Sequence, residues 1–135
     1  MCRIFLILFF VLNLSACTST LYTYGSKSAN FATLKGPYHI DLIAIDGDLV
    51  TDRPGCTGPV CTKGFEIYFD EGVHTIDVKL ATGHAYTDVI RLEFYAEANE
   101  FYEFKHSEMD NKVIHNDGSW RPVIVNKSTN RAVSH

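Results

Sequence analysis

The stretch that most constrains the fold runs from Thr87 to Ala96, where Ile90, Leu92, Phe94 and Ala96 alternate with Arg91, Glu93 and Tyr95. A period of two puts the apolar set on one face of an extended chain and the polar set on the other, whereas helical spacing would scatter both. The segment is therefore a half-buried β-strand that needs a second layer over its apolar face. The same texture recurs on both sides of it. Phe65, Ile67 and Phe69 share a face, Glu71-Gly72 turns the chain, and Ile76, Val78 and Leu80 share the next face. A two-residue turn between alternating runs is a strong hairpin signal.

Tyr38 to Ile45 forms an earlier run that ends at Asp46-Gly47-Asp48, and Thr51 to Lys63 reads as a loop, as does Ala81 to Ala85. Asn99-Glu100 leads into Phe101 to His106, with Tyr102 and Phe104 on one face. Asp110-Asn111 and Asp117-Gly118 flank a short Val113-Ile114 run, Trp120 to Val125 follows, and Asn126 to Asn130 turns into an Ala132-Val133 edge. No segment has a sustained helical period. Seven or eight short strands with turn chemistry between them predict an all-β chain, an antiparallel β-sandwich in place of a barrel. Trp120, sharing its parity with Pro122 and Ile124, is expected in the core.

The N-terminal residues read differently. Arg3, the unbroken apolar run Ile4 to Leu12 and the small-residue approach Leu14-Ser15-Ala16 make an export signal with a cleavage point. A membrane-spanning helix would need about 20 apolar residues, and Asn13 and the polar Ser15 to Thr20 stretch end the run short of that. Thr18 to Lys35 is small and polar without a sustained period and reads as a flexible tether. A competing reading has Tyr22, Tyr24 and Phe31 dock on a partner or on the chain's own domain. The expected organisation is a signal over 1–16, a tether over 17–36 and a β-sandwich over 37–135.

Charge and side-chain chemistry exclude several functions. Lys and Arg total 12 against 16 Asp and Glu, a net charge of −4. Losing Arg3 with the signal leaves 11 against 16, or −5. No clustered basic face suits nucleic acid. The six histidines never fall at ligand-pair spacing, so no metal site is expected, and His74 reads as a packed residue bonding a turn carbonyl. Asp46, Asp48 and Asp52 echo a calcium loop, but Thr51 and Thr57 replace its glycine and closing glutamate. No nucleophile elbow, phosphate loop or zinc-protease helix occurs, and no cofactor is implied.

Of four cysteines, Cys2 leaves with the signal and Cys17 abuts the cleavage point. Cys56 and Cys61 remain, across a Gly58-Pro59 turn. In an oxidising compartment such a pair is expected to bond; free or metal-bound thiols and a redox pair are the alternatives, the last disfavoured by four intervening residues. Tyr68 and Tyr95 point outward by alternation beside Glu66, Asp70, Glu93 and Glu97. They are the candidate binding surface, against the alternative of ordinary exposed aromatics.

Leu14-Ser15-Ala16-Cys17 resembles the lipobox of bacterial lipoproteins. The resemblance implies lipidation of Cys17, which becomes the new N-terminus and an essentially permanent membrane anchor. Thr18, where Asp would retain such a protein in the inner membrane of a Gram-negative cell, implies the outer membrane, facing the periplasm. Ile45-Asp46-Gly47 followed by Glu71 to Val78 is similar to PEGA-type envelope domains, although a Pro-Glu-Gly-Ala string is missing and the cysteine loop is added. That resemblance implies a binding module of the cell envelope. The expected function is thus a non-enzymatic binding or assembly role with an envelope protein partner. Recognition of a polysaccharide or peptidoglycan fragment through Tyr68 and Tyr95 is the first alternative, and a small hydrolase or enzyme inhibitor the second.

Overall fold

A computed structural model describes residues 21–57, 60–82, 85–106 and 120–135. Their strands are β1 (Tyr22–Tyr24), β2 (Ala32–Gly36), β3 (Ile40–Ile45), β4 (Asp48–Leu49), β5 (Cys56–Thr57), β6 (Val60–Cys61), β7 (Phe65–Phe69), β8 (Gly72–Thr82), β9 (Ala85–Tyr86), β10 (Ile90–Ala96), β11 (Phe101–His106), β12 (Pro122–Asn126) and β13 (Arg131–Ala132). Seven of them have five or more residues: six coincide with runs read from the sequence, and the seventh, β2, lies in the expected tether. Cys17 and the expected Val113-Ile114 strand lie outside the described residues.

Two sheets face each other. One has the order β1-β7-β2-β11-β12-β13 and the other β10-β8-β3-β4, with β9 folded back on β8. The shared core is built from the alternating faces that the sequence predicts: Phe65, Ile67 and Phe69, then Ile76, Val78 and Leu80, then Leu92, Phe94 and Ala96, with Tyr102, Trp120 and Ile124. Aromatic edges cross the gap between sheets, Phe94 standing 5.4 Å from Phe69 and 5.3 Å from Tyr102. The fold is an all-β sandwich, as expected.

Two features of the expected architecture are corrected. The tether does not extend to residue 36: Tyr22 to Tyr24 and Ala32 to Gly36 are strands of the first sheet. Nor is the sandwich wholly antiparallel, because β1 pairs parallel with β7 and β2 pairs parallel with β11. The first correction has a packing cause at β2. On β2 the inward residues are small where those of its neighbour are large: Ala32 lies opposite Phe69 and Gly36 opposite Phe65, with Leu34 opposite Ile67 between them. A Cβ on Gly36 would fall inside the Phe65 ring. Thus β2 fills the volume that the phenylalanines of β7 leave, and it has little hydrophobic signal of its own.

The turns follow their sequence chemistry. Asp46 and Gly47 both take positive φ (51° and 86°), the conformation a two-residue hairpin requires. Asn99, at φ 63°, turns β10 into β11, and the Glu97 amide donates to the Tyr102 hydroxyl across that turn at 2.9 Å.

The residues after β13 tie the two sheets together. Val133 N–H donates to Ile124 O and the Ile124 amide donates to Ser134 Oγ, both at 2.8 Å, on the first sheet. Ser134 then bridges Phe94, and His135 exchanges two 3.2 Å backbone bonds with Glu93 on the second.

Candidate functional site

Asp41 is the one carboxylate among the described residues that is fully buried in an apolar run. It follows from strand alternation that Ile40 and Leu42 enter the core and Asp41 faces the other way, where Lys79 of β8 is its cross-strand partner. The cover comes from the cysteine loop. Arg53, Pro54 and Gly55 lead to Cys56 through a turn in which Cys56 N–H donates to Arg53 O at 3.1 Å. Proline first and a glycine at φ 83° second is the residue pattern of a type II turn. That turn aims Arg53 at Asp41, and its Nη1 donates to both carboxylate oxygens at 2.8 and 2.7 Å. Lys79 Nζ lies 3.5 Å away.

Cys56 and Cys61 stand opposite each other on β5 and β6 with their sulfurs at disulfide-bonding distance. The two sulfurs and an Asp41 oxygen lie within 4.8 Å of one another, a donor set that could suit a thiophilic cation. The donors are already committed: the sulfurs to each other, and both Asp41 oxygens to Arg53. The cluster therefore reads as a structural clamp that holds the cysteine loop against β3. The adjoining cleft, lined by Tyr22, Tyr24, Arg53 and Lys63 among others, has about 10 Å³ of free volume, space for a single water. Burial, then the nearby Asp52, pushes the Tyr24 hydroxyl pKa up, and that hydroxyl donates to Asp52 O at 3.0 Å.

A second polar cluster sits at the other end of β3. The Asp46 carboxylate accepts from the Thr75 amide at 2.8 Å and lies 2.8 Å from His74 Nδ1. His74 Nε2 meets the Asp70 carbonyl at 2.8 Å, the turn-carbonyl bond anticipated for this residue. Both ring nitrogens face acceptors, so both bonds form only when both nitrogens carry a proton. The ring packs on Phe69 at 4.5 Å. The acidic Asp46 turn is thereby engaged by β8 rather than arranged as a cation loop.

Tyr68 and Tyr95, the sequence candidates for a binding face, are not brought together. Tyr68 is on β7 of the first sheet and Tyr95 on β10 of the second, so they point from opposite sides of the sandwich. Tyr68 is also engaged: Phe31 packs edge-on at 5.2 Å, the Lys27 ammonium lies 4.8 Å over its ring, and its hydroxyl donates to Glu66 at 3.1 Å. A glycan platform made of both rings has no geometric basis.

Tyr95 is different. It lies directly opposite Val73, and these residues are 49% and 62% exposed. The Tyr95 hydroxyl donates to Glu71 at 3.2 Å, a bond that raises its pKa and fixes the ring. Phe101 is exposed at the same end of the sandwich, where the turns carry Asp46, Asp70, Glu71, Glu97 and Glu100. The sequence singled out Tyr95 alone. Val73 and Phe101 carried the same signal, apolar residues on the polar parity of their strands. Further along the second sheet's outer face, the Arg91 guanidinium holds the Asp77 carboxyl below the usual carboxylate range through two 2.7 Å bonds.

No protein-family model matches the chain, and neither a curated protein nor a solved structure matches it.

Proposed function

We propose that this is a lipid-anchored protein of the bacterial cell envelope, held at the outer membrane through Cys17, with a non-enzymatic binding or assembly role toward an envelope protein partner. The anchor rests on the signal and lipobox residues, and the paired cysteines fit an oxidising compartment. The observation that supports the partner is the Val73–Tyr95 pair. It is an exposed, half-apolar pair on the outer face of the second sheet, hydrogen-bonded through Tyr95 to Glu71, at the end remote from where the chain enters β1. Exposed aromatic and aliphatic residues with a polar rim are what protein interfaces use as anchors.

The test is photo-crosslinking in cells from position 73, with position 23 on β1 as control. Capture of one stoichiometric envelope protein from position 73 alone supports the assignment, and Tyr95→Ala should abolish it. Recovery of peptidoglycan or other glycan fragments in place of protein would overturn it in favour of glycan binding.

A further inference from the structure

We infer that Tyr95, Val73 and the carboxylates of Glu71, Glu93 and Glu97 form a cradle for a lysine or arginine side chain of the partner. The cation sits over the Tyr95 ring and its methylenes lie on Val73. This rests on the reading of that pair as a contact surface and adds to it the chemistry of the group that docks there.

The first ground is charge. The chain turns at this end of the sandwich through residues 25–31, 46–47, 70–71, 97–100 and 127–130, all of which are described. On the outer face of the second sheet, Glu71 accepts from the Tyr95 hydroxyl at 3.2 Å. Glu93 and Glu97 share the parity of Tyr95 and stand two residues to either side of it, about 7 Å along the strand. Thr75 lies opposite Glu93 and adds no charge. The cation that β10 itself carries on this face, Arg91, is held by Asp77 through two 2.7 Å bonds. His135 reaches Glu93 at 3.7 Å and is charged only when protonated. Three carboxylates thus surround an exposed ring and an exposed valine.

The second ground is how the chain treats its other tyrosines. Tyr68 also donates its hydroxyl to a carboxylate, that of Glu66, and the Lys27 ammonium lies 4.8 Å over its ring. Lys63 lies 4.9 Å over Tyr22. A phenol that donates to a carboxylate keeps an electron-rich face, which attracts a cation. Tyr95 has the carboxylate and the exposed face, but among the described residues no lysine or arginine covers it.

The third ground is fit. Val73 stands directly opposite Tyr95, about 5 Å away across the strands. A long cationic side chain lays its methylenes on such an aliphatic surface while its charge reaches the ring and the carboxylates. A second copy of the chain would set these carboxylates against their own kind, and like charges facing each other reject a partner.

The experiment is an amide-shift titration of the purified full chain in non-ionic micelles with tetralysine amide at low ionic strength, with tetraglutamate as control. Shifts should centre on 71–75 and 93–97 and be absent with tetraglutamate. Tyr95→Leu, and separately Glu93→Gln with Glu97→Gln, should each weaken tetralysine binding at least about threefold. Tyr95→Phe keeps the ring and should bind more tightly than Tyr95→Leu. No shifts, shifts centred on the exposed turn at Asp48, or undiminished binding by Tyr95→Leu overturn the cradle and leave the partner reading to the crosslink from position 73. That crosslink should map within a few residues of a Lys or Arg of the captured protein, and a site remote from both overturns the cradle as well. A wild-type chain that captures no protein from position 73 overturns the partner reading, and the cradle's role with it.

Discussion

Replacing Arg53 with Met should cost this domain a substantial part of its stability, because of what it leaves behind. The Asp41 side chain is fully shielded from solvent, whereas Arg53 is 36% exposed. Removing the guanidinium strips both carboxylate oxygens of charge-assisted bonds, each worth about 1.5–3 kcal/mol. Truncating one partner of a buried pair costs about 3–5 kcal/mol in general. Here Lys79 remains 3.5 Å from the carboxylate, and water can follow the vacated arginine path. The expected loss is therefore at the low end, about 3 kcal/mol, or a fall in Tm of about 10–20 °C for a domain of this size. Urea unfolding followed by the fluorescence of Trp120, the single tryptophan, measures it. A double variant, Asp41→Leu with Arg53→Met, removes both charges and should recover at least half of the loss. A cost for Arg53→Met below about 1 kcal/mol, the range of an exposed pair, would refute the burial argument. So would a double variant as unstable as the sum of its singles.

Three further outcomes follow from the geometry. Gly36→Ala should destabilise by about 1–3 kcal/mol through overpacking against Phe65, read by the same unfolding assay; a neutral result would mean β2 can move away from β7. Asp46→Ala should cost about 1 kcal/mol, since the turn loses the acceptor for Thr75 N–H and His74 at a largely exposed carboxylate, whereas Asp46→Asn should retain most of the stability. Acid titration of stability should show two groups. Asp77, held low by Arg91, contributes above the ordinary carboxylate value, and that contribution disappears as pH falls through its depressed folded value. His39 is held low by burial, so protonation favours the unfolded chain and stability weakens as pH drops below about 6.5. Arg91→Gln should flatten the first limb and His39→Gln the second.

What could be read in the sequence was whatever rests on one strand's own alternation. The core faces of β7, β8 and β10 and the turns at Asp46-Gly47 and Asn99 needed no partner to be visible. What could not be read depends on pairs of strands. Ala32 and Gly36 look like linker residues until Phe69 and Phe65 are set opposite them, and only then does their small size become a packing requirement. Asp41 within the run Ile40 to Ile45 was passed over in the sequence, and its burial appears only in the fold. Identifying Arg53 as its partner required the turn made by Pro54 and Gly55, which the sequence reading had absorbed into a loop defined by its cysteines. Whether Tyr68 and Tyr95 share a face, the condition for the alternative glycan reading, was likewise out of reach: parity sets the face of a strand but not which of two sheets the strand joins.

The same pairings explain how the sandwich protects its edges. An open strand edge invites pairing with another chain, and here the residues that follow β13 close the β10 edge at Glu93 and Phe94. On the other side, Val50 donates to Ile43 O and Arg53 clamps Asp41, so the residues that follow the short β4 lie against β3. With those edges occupied by the chain itself, addition of a partner strand there would require displacing existing bonds. A partner would meet less resistance on an outer face, where Val73 and Tyr95 are already exposed. The clamp at Asp41 and the exposed pair at Val73 and Tyr95 thus belong to one design, in which the first limits edge pairing and the second leaves the contact to side chains.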